Sequence, residues 1–151
     1  MHHVLLVSAC STTPRTHEDS FCDRLSQYAR TVEVQPRSVT LGRGGRWMVD
    51  HCKFCKRADD DKAGIEFCDW LMEYTSTKFM EANINLALSC LQRQEIKGYI
   101  GNTGIESWVG KAVFFAPRID VEDVKIEIEY SVQYFESEDQ EDFLKISVVP
   151  D

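Results

Sequence analysis

The chain has 151 residues, 43% of them hydrophobic and 28% charged, with a formal net charge of −8. This length and composition suit a single globular domain spanning 1–151 that folds without a metal or a disulfide, which excludes wholesale disorder. The acidic balance excludes a uniformly basic nucleic-acid-binding surface, and the sequence has no run of 18 apolar residues that could cross a membrane as a helix.

The first predicted element is a buried strand in the apolar run "HHVLLVSA", residues 2–9. The overlapping stretch "LLVSACSTTP" resembles the lipobox of bacterial lipoproteins, in which a cysteine preceded by small residues is cut and lipidated. In this sequence that cysteine would be Cys10. Only nine residues precede it and none of them is Lys or Arg, so we interpret the segment as a strand.

A short helix and a hairpin are predicted next. In "HEDSFCDRLSQYAR" the apolar residues Phe21, Leu25 and Tyr28 recur at helical spacing, with acids in the first turn. The following "TVEVQPRSVTL" is predicted to be extended, and Pro36 marks an edge or a bulge because it cannot donate a backbone hydrogen bond. The turn "GRGG" then leads into "RWMVD", which should be the returning strand of the hairpin.

A long or broken helix is predicted from about Asp61, where "ADDD" supplies an N-cap and acids that suit the N-terminal dipole. One apolar stripe includes Ile65 and Met72, and a second stripe includes Ile84 and Leu88. The β-branched segment "TST" lies between the two stripes. We therefore expect the helix to break or kink at that segment.

The C-terminal third predicts three strands in series. They are "SWVGKAVFFA", the strictly alternating "VKIEIEYSVQY", and "FLKISVV" after a charged turn. Strands in series form an antiparallel meander, and its apolar side needs a helix to cover it. The predicted fold class is α+β. An antiparallel sheet, made of the C-terminal three-strand meander plus N-terminal strands, packs against one long or broken helix and one short helix.

The segment "DHCKFCKRADDDK", residues 50–62, carries two cysteines separated by two residues. This spacing lets two thiolates point at one ion, and it recurs in zinc sites. The nearest residues that could complete four ligands are a histidine and a cysteine of the predicted helix. The predicted zinc ligands are therefore Cys52, Cys55, Cys68 and His51. The sequence has no second Cys-x-x-Cys, so unliganded cysteines remain an open alternative.

A second alternative is a thiol redox pair formed by Cys52 and Cys55. Nearby cations lower the pKa of a thiol and favour the reactive thiolate, and basic residues follow both cysteines. The chain has six cysteines, which could pair in 15 ways. Because no signal peptide is recognisable, we expect a reducing compartment, cytoplasmic or nuclear, in which disulfides do not persist.

Five basic residues cluster around the predicted hairpin and could form a local site for nucleic acid or another anion. Trp47 and Phe54 lie among them, and aromatic rings within a basic surface can stack on bases. The alternative is an ordinary solvated hairpin. The candidate residues are Arg43, Arg46, Lys53, Lys56 and Arg57.

The acidic excess lies entirely in the last quarter of the chain. Residues 118–151 contain eleven acidic and three basic residues, whereas residues 1–117 contain fourteen of each. No recognisable hydrolase, metalloprotease or nucleotide-binding motif is present, which favours a protein that is not an enzyme. The leading hypothesis is an adaptor or regulatory protein that contacts a basic surface of a protein partner. Its predicted partner-binding residues are Glu136, Glu138, Asp139, Glu141 and Asp142.

Overall fold

A computed structural model of the chain describes residues 18–31, 35–44, 52–77, 80–92, 107–115, 123–133 and 142–150. The elements in chain order are α1 (Glu18–Arg30), β1 (Arg37–Gly44), β2 (Cys52–Lys56), α2 (Lys62–Tyr74), α3 (Met80–Leu91), β3 (Ser107–Phe114), β4 (Val124–Gln133) and β5 (Asp142–Pro150). The predicted α+β class is confirmed. The predicted N-terminal strand "HHVLLVSA" and the segment "RWMVD" lie outside the described residues.

The five strands form one antiparallel sheet in the order β2-β1-β5-β4-β3. The last three strands are the predicted meander, and the strand that returns beside β1 is β2. β5 is central because it pairs with β4 on one side and with β1 on the other. The pairing of β5 with β1 therefore joins the N-terminal hairpin to the C-terminal meander.

One face of this sheet is the core face. The strict alternation in β4 places Val124, Ile126, Ile128 and Val132 on that face, and all four are buried. Helix α2 packs against β1 and β2, and α3 packs against β4 and β5. Helix α1 contacts the other two helices. The helices thus cover the core face, and we call the opposite face of the sheet the outer face.

The predicted break in the long helix is confirmed, since α2 ends at Tyr74 and α3 begins at Met80. Thr75 takes an extended conformation with φ −118° and ψ 156°, which stops the helix. Its backbone N–H donates to the Leu71 carbonyl at 3.1 Å, and its hydroxyl donates to the same oxygen at 2.5 Å. At the other end of α2, the Asp61 side chain accepts from the Gly64 N–H at 3.0 Å, as expected of an N-cap.

Among the described residues, two disulfides join elements that are distant in sequence. Cys22 of α1 is bonded to Cys90 of α3, and Cys55 of β2 is bonded to Cys68 of α2. Disulfides persist in oxidising compartments, so the prediction of a cytoplasmic or nuclear, reducing setting is wrong. The sequence could not reveal this pairing, because spacing along the chain does not show which cysteines meet in the fold.

We predict that removing the Cys22–Cys90 bond destabilises the protein more than removing the Cys55–Cys68 bond. The first bond closes a sequence separation of 68 residues and the second closes 13. Loop-closure entropy then gives losses of about 4 and about 3 kcal/mol in the free energy of unfolding. Urea denaturation of Cys22→Ala/Cys90→Ala and Cys55→Ala/Cys68→Ala measures both losses. A smaller loss for the longer loop would contradict the expectation.

Candidate binding surface

Two of the three cysteines predicted to bind zinc, Cys55 and Cys68, meet in the fold, but as a disulfide. The Sγ atoms of Cys55 and Cys68 lie 2.02 Å apart. A sulfur bonded to another sulfur carries no thiolate charge for a metal. No group of three or more His, Cys, Asp or Glu side chains in the described ranges could hold a metal ion. The zinc-binding prediction is therefore wrong. Cys52 lies opposite Gly44 in the sheet register, and His51 lies outside the described residues.

Because side chains alternate along a strand, Lys53 and Lys56 of β2 lie on opposite faces of the sheet. Lys53 shares the core side with Cys55, and its ammonium group donates to the Met72 carbonyl at 2.7 Å and also to the Thr75 carbonyl. These are carbonyls at the C-terminal end of α2, where the helix dipole favours a positive charge. Because Lys53 is only 7% exposed, its ammonium group binds the end of the helix and is not accessible to a ligand in solvent.

The other candidate cations also have partners within the fold. The Lys56 ammonium lies 4.8 Å from the centre of the Phe54 ring, on the outer face. The Arg57 guanidinium lies 3.8 Å from Asp59, and that of Arg43 lies 3.9 Å from Asp142. Arg46 lies outside the described residues. The described cations do not share one face, so no continuous basic surface forms from them.

The predicted acidic partner site falls mostly outside the described residues. The predicted residues that lie there are Glu136, Glu138, Asp139 and Glu141. Asp142, the first residue of β5, lies opposite Arg43 of β1 in the sheet register. Its carboxylate faces that arginine across the strand pair, so this acid has a partner within the sheet.

The large apolar side chains that are exposed in the described part of the chain lie on β3 and just after it. Val109 and Phe115 are each 68% exposed, and Val113 is 39% exposed. Strand alternation places these residues on the outer face, opposite the buried row of β4. We call Val109, Val113 and Phe115 the β3 patch. β3 is an end strand of the described sheet, so the patch lies at one margin of that face.

Charged side chains lie among the apolar side chains of the β3 patch. Lys111 lies between the two valines along β3, and its ammonium is 3.5 Å from Glu127. Lys125 is also 3.5 Å from Glu127, and its ammonium lies 5.9 Å from the centre of the Phe115 ring. The two lysines thus share one carboxylate. The three apolar side chains therefore lie among two ammonium groups and one carboxylate.

At the opposite margin of the outer face, the aromatic side chain of β2 packs onto the neighbouring strand β1. The Phe54 ring lies directly over Gly42, its register partner, and a Cβ at Gly42 would collide with the ring. This contact requires glycine at that position, and it leaves Phe54 only 9% exposed. The aromatic ring of β2 is therefore buried within the sheet, whereas the Phe115 ring projects into solvent.

A comparison of this chain with protein-family models, with curated proteins and with solved structures finds no match. Of the helices that the structure describes, none is long and apolar enough to cross a membrane. The function must therefore be argued from the surface itself.

We predict that Lys53 makes stability depend on pH. Burial lowers its pKa from the ordinary 10.5 to about 8, so the folded protein releases this proton first as the pH rises. Between pH 8 and pH 10.5 the unfolded chain therefore binds more protons than the folded protein. In this range the free energy of unfolding rises by up to about 1.4 kcal/mol per pH unit. Urea denaturation across this range should show wild type gaining stability relative to Lys53→Met. A difference that stays constant with pH would contradict the account.

Proposed function

We propose that this protein is a non-catalytic binding protein that docks a protein partner on the β3 patch. The observation that carries the proposal is the clustering of its large exposed apolar side chains on one strand and one face. Exposed apolar side chains in one row of a strand are removed from water when a partner covers them, which favours a complex. This proposal keeps the adaptor hypothesis but moves the interface from the acidic segment to the sheet.

The charge of the chain supports a basic partner. The net charge of the chain is −8, although the patch itself combines the ammonium groups of Lys111 and Lys125 with the single carboxylate of Glu127. Long-range attraction between the acidic chain and a basic protein would accelerate the encounter. The apolar side chains would then hold the complex, because desolvated aromatic and aliphatic contacts dominate binding energy. The partner we propose is therefore a basic protein with an apolar contact surface.

The disulfides support a working place outside a reducing compartment. Cys22–Cys90 and Cys55–Cys68 both connect helices to other parts of the core. The proposed partner would accordingly be met in an oxidising setting, such as an extracellular or periplasmic space.

We predict that Phe115→Ser weakens partner binding about tenfold or more, since an aromatic anchor often contributes over 2 kcal/mol. Ala82→Ser is the matched control, because Ala82 is exposed on α3 and away from the sheet. Each variant is immobilised and exposed to extracellular proteins of the source organism at low salt. A protein retained by wild type and by the control is then purified, whether or not Phe115→Ser retains it.

Surface plasmon resonance with that purified protein completes the test. We expect its association rate to fall as salt rises, and its dissociation rate to rise in Phe115→Ser. Equal affinity for wild type and Phe115→Ser would show that the β3 patch is not the interface. Sedimentation of wild type alone identifies self-association, which would replace the basic partner with a second copy of this chain.

A further inference from the structure

A cavity of about 320 Å³ lies between α1 and α2, on the helical side of the sheet. It is open to solvent and is lined from α1 by Arg24, Gln27 and Arg30, and from α2 by Ala63 and Glu66. Residues three or four apart share one face of a helix, so Arg24 and Gln27 face the same groove as Ala63 and Glu66. The small side chain of Ala63 leaves space where a longer one would fill the groove.

The cavity has an apolar floor. Phe67 and Tyr28 both line it, and their rings stack with centres 5.2 Å apart and planes 29° apart. Burial, followed by the nearby Asp61 carboxylate, raises the pKa of Tyr28 above its ordinary value. Its hydroxyl therefore stays protonated and faces Asp61 at 3.4 Å. The floor of the cavity therefore consists of two aromatic rings, neither of which carries a negative charge.

The rim of the cavity carries an excess of positive charge. Arg24 and Arg30 contribute two guanidinium groups, and Glu66 contributes one carboxylate. Within the described part of the chain, no ion pair involves either arginine. This is notable in a chain whose net charge is −8. A guanidinium group binds carboxylates through paired N–H donors, so these two residues are suited to an anionic group.

We propose that this cavity binds a small organic anion, a carboxylate attached to an apolar body. The carboxylate would pair with Arg24 and Arg30, and the apolar body would lie against Phe67 and Ala63. The volume is at the lower end of the roughly 300–1,000 Å³ of ligand sites, and roughly ten times the space of one water molecule. An inorganic ion would leave most of it unfilled. The site is independent of the β3 patch, which lies on the other face of the sheet.

The probe for this proposal is 4-phenylbutyrate, with uncharged 4-phenylbutanol as its matched partner. Titration is followed by ¹H–¹⁵N correlation spectra of the full chain. We expect 4-phenylbutyrate to shift the amide signals of 24–31 and 63–67 in a saturable way, and 4-phenylbutanol to bind about tenfold more weakly. Equal binding of the two probes, or shifts confined to other regions, would overturn the proposal.

Four substitutions test the proposal further, because two of them are expected to change the affinity for 4-phenylbutyrate in opposite directions. Arg24→Gln should weaken 4-phenylbutyrate about tenfold, whereas Glu66→Gln should strengthen it by removing repulsion. Ala63→Leu should abolish binding by filling the groove. Arg57→Gln, which lies at the end of β2, should leave the affinity unchanged. Weaker binding in Glu66→Gln would mean that the cavity prefers a cationic group, and unchanged binding in Ala63→Leu would place the probe elsewhere. Either result would overturn the proposal.

Discussion

The disulfide between Cys55 and Cys68 fixes helix α2 to strand β2, and the arrangement of the helices on the sheet depends on it. Two polar contacts hold the ends of the same helix. At its start, the Asp61 carboxylate caps the helix and pairs with the Arg37 guanidinium at 3.0 Å. At its end, the buried ammonium of Lys53 donates to the last carbonyls. Helix α2 is thus held against the β1–β2 hairpin along its whole length, and it forms one wall of the cavity.

Because the helices pack on one face of the sheet, the molecule has two sides with different chemistry. On the helical side, the Phe21 ring packs edge-on against Phe67 and Trp70, with ring centres 6.4 and 6.1 Å apart. The second disulfide ties α1 to α3 on this same side. The outer face of the sheet carries the β3 patch, whose side chains remain in solvent. A rigid helical layer behind the sheet would let that patch bind a partner with little loss of conformational entropy.

Local patterns predicted the parts of the fold that local chemistry decides. The alternation in β4 predicted its buried row, and "TST" predicted the break between α2 and α3. Strand β2 is described from Cys52 to Lys56, and Cys55 joins it to α2, whereas the predicted returning strand "RWMVD" lies outside the described residues. Side chains alternate between two faces along β3 as well, and Val109, Lys111 and Val113 form one of its two rows. The sequence does not show which row faces the helices, and only the sheet register does. The pairing of Cys55 with Cys68 required the fold itself, since the two-residue spacing of Cys52 and Cys55 pointed to a metal site.

The central claim is that a disulfide, rather than a metal, joins helix α2 to the sheet, and that another disulfide joins α1 to α3. The most direct test is mass spectrometry of peptides from protein purified without reductant and digested at acidic pH, where disulfide exchange is slow. The account predicts one cross-linked peptide pair containing Cys22 and Cys90, and another containing Cys55 and Cys68. Free thiols at Cys55 and Cys68 in folded protein, with stoichiometric zinc by elemental analysis, would contradict it.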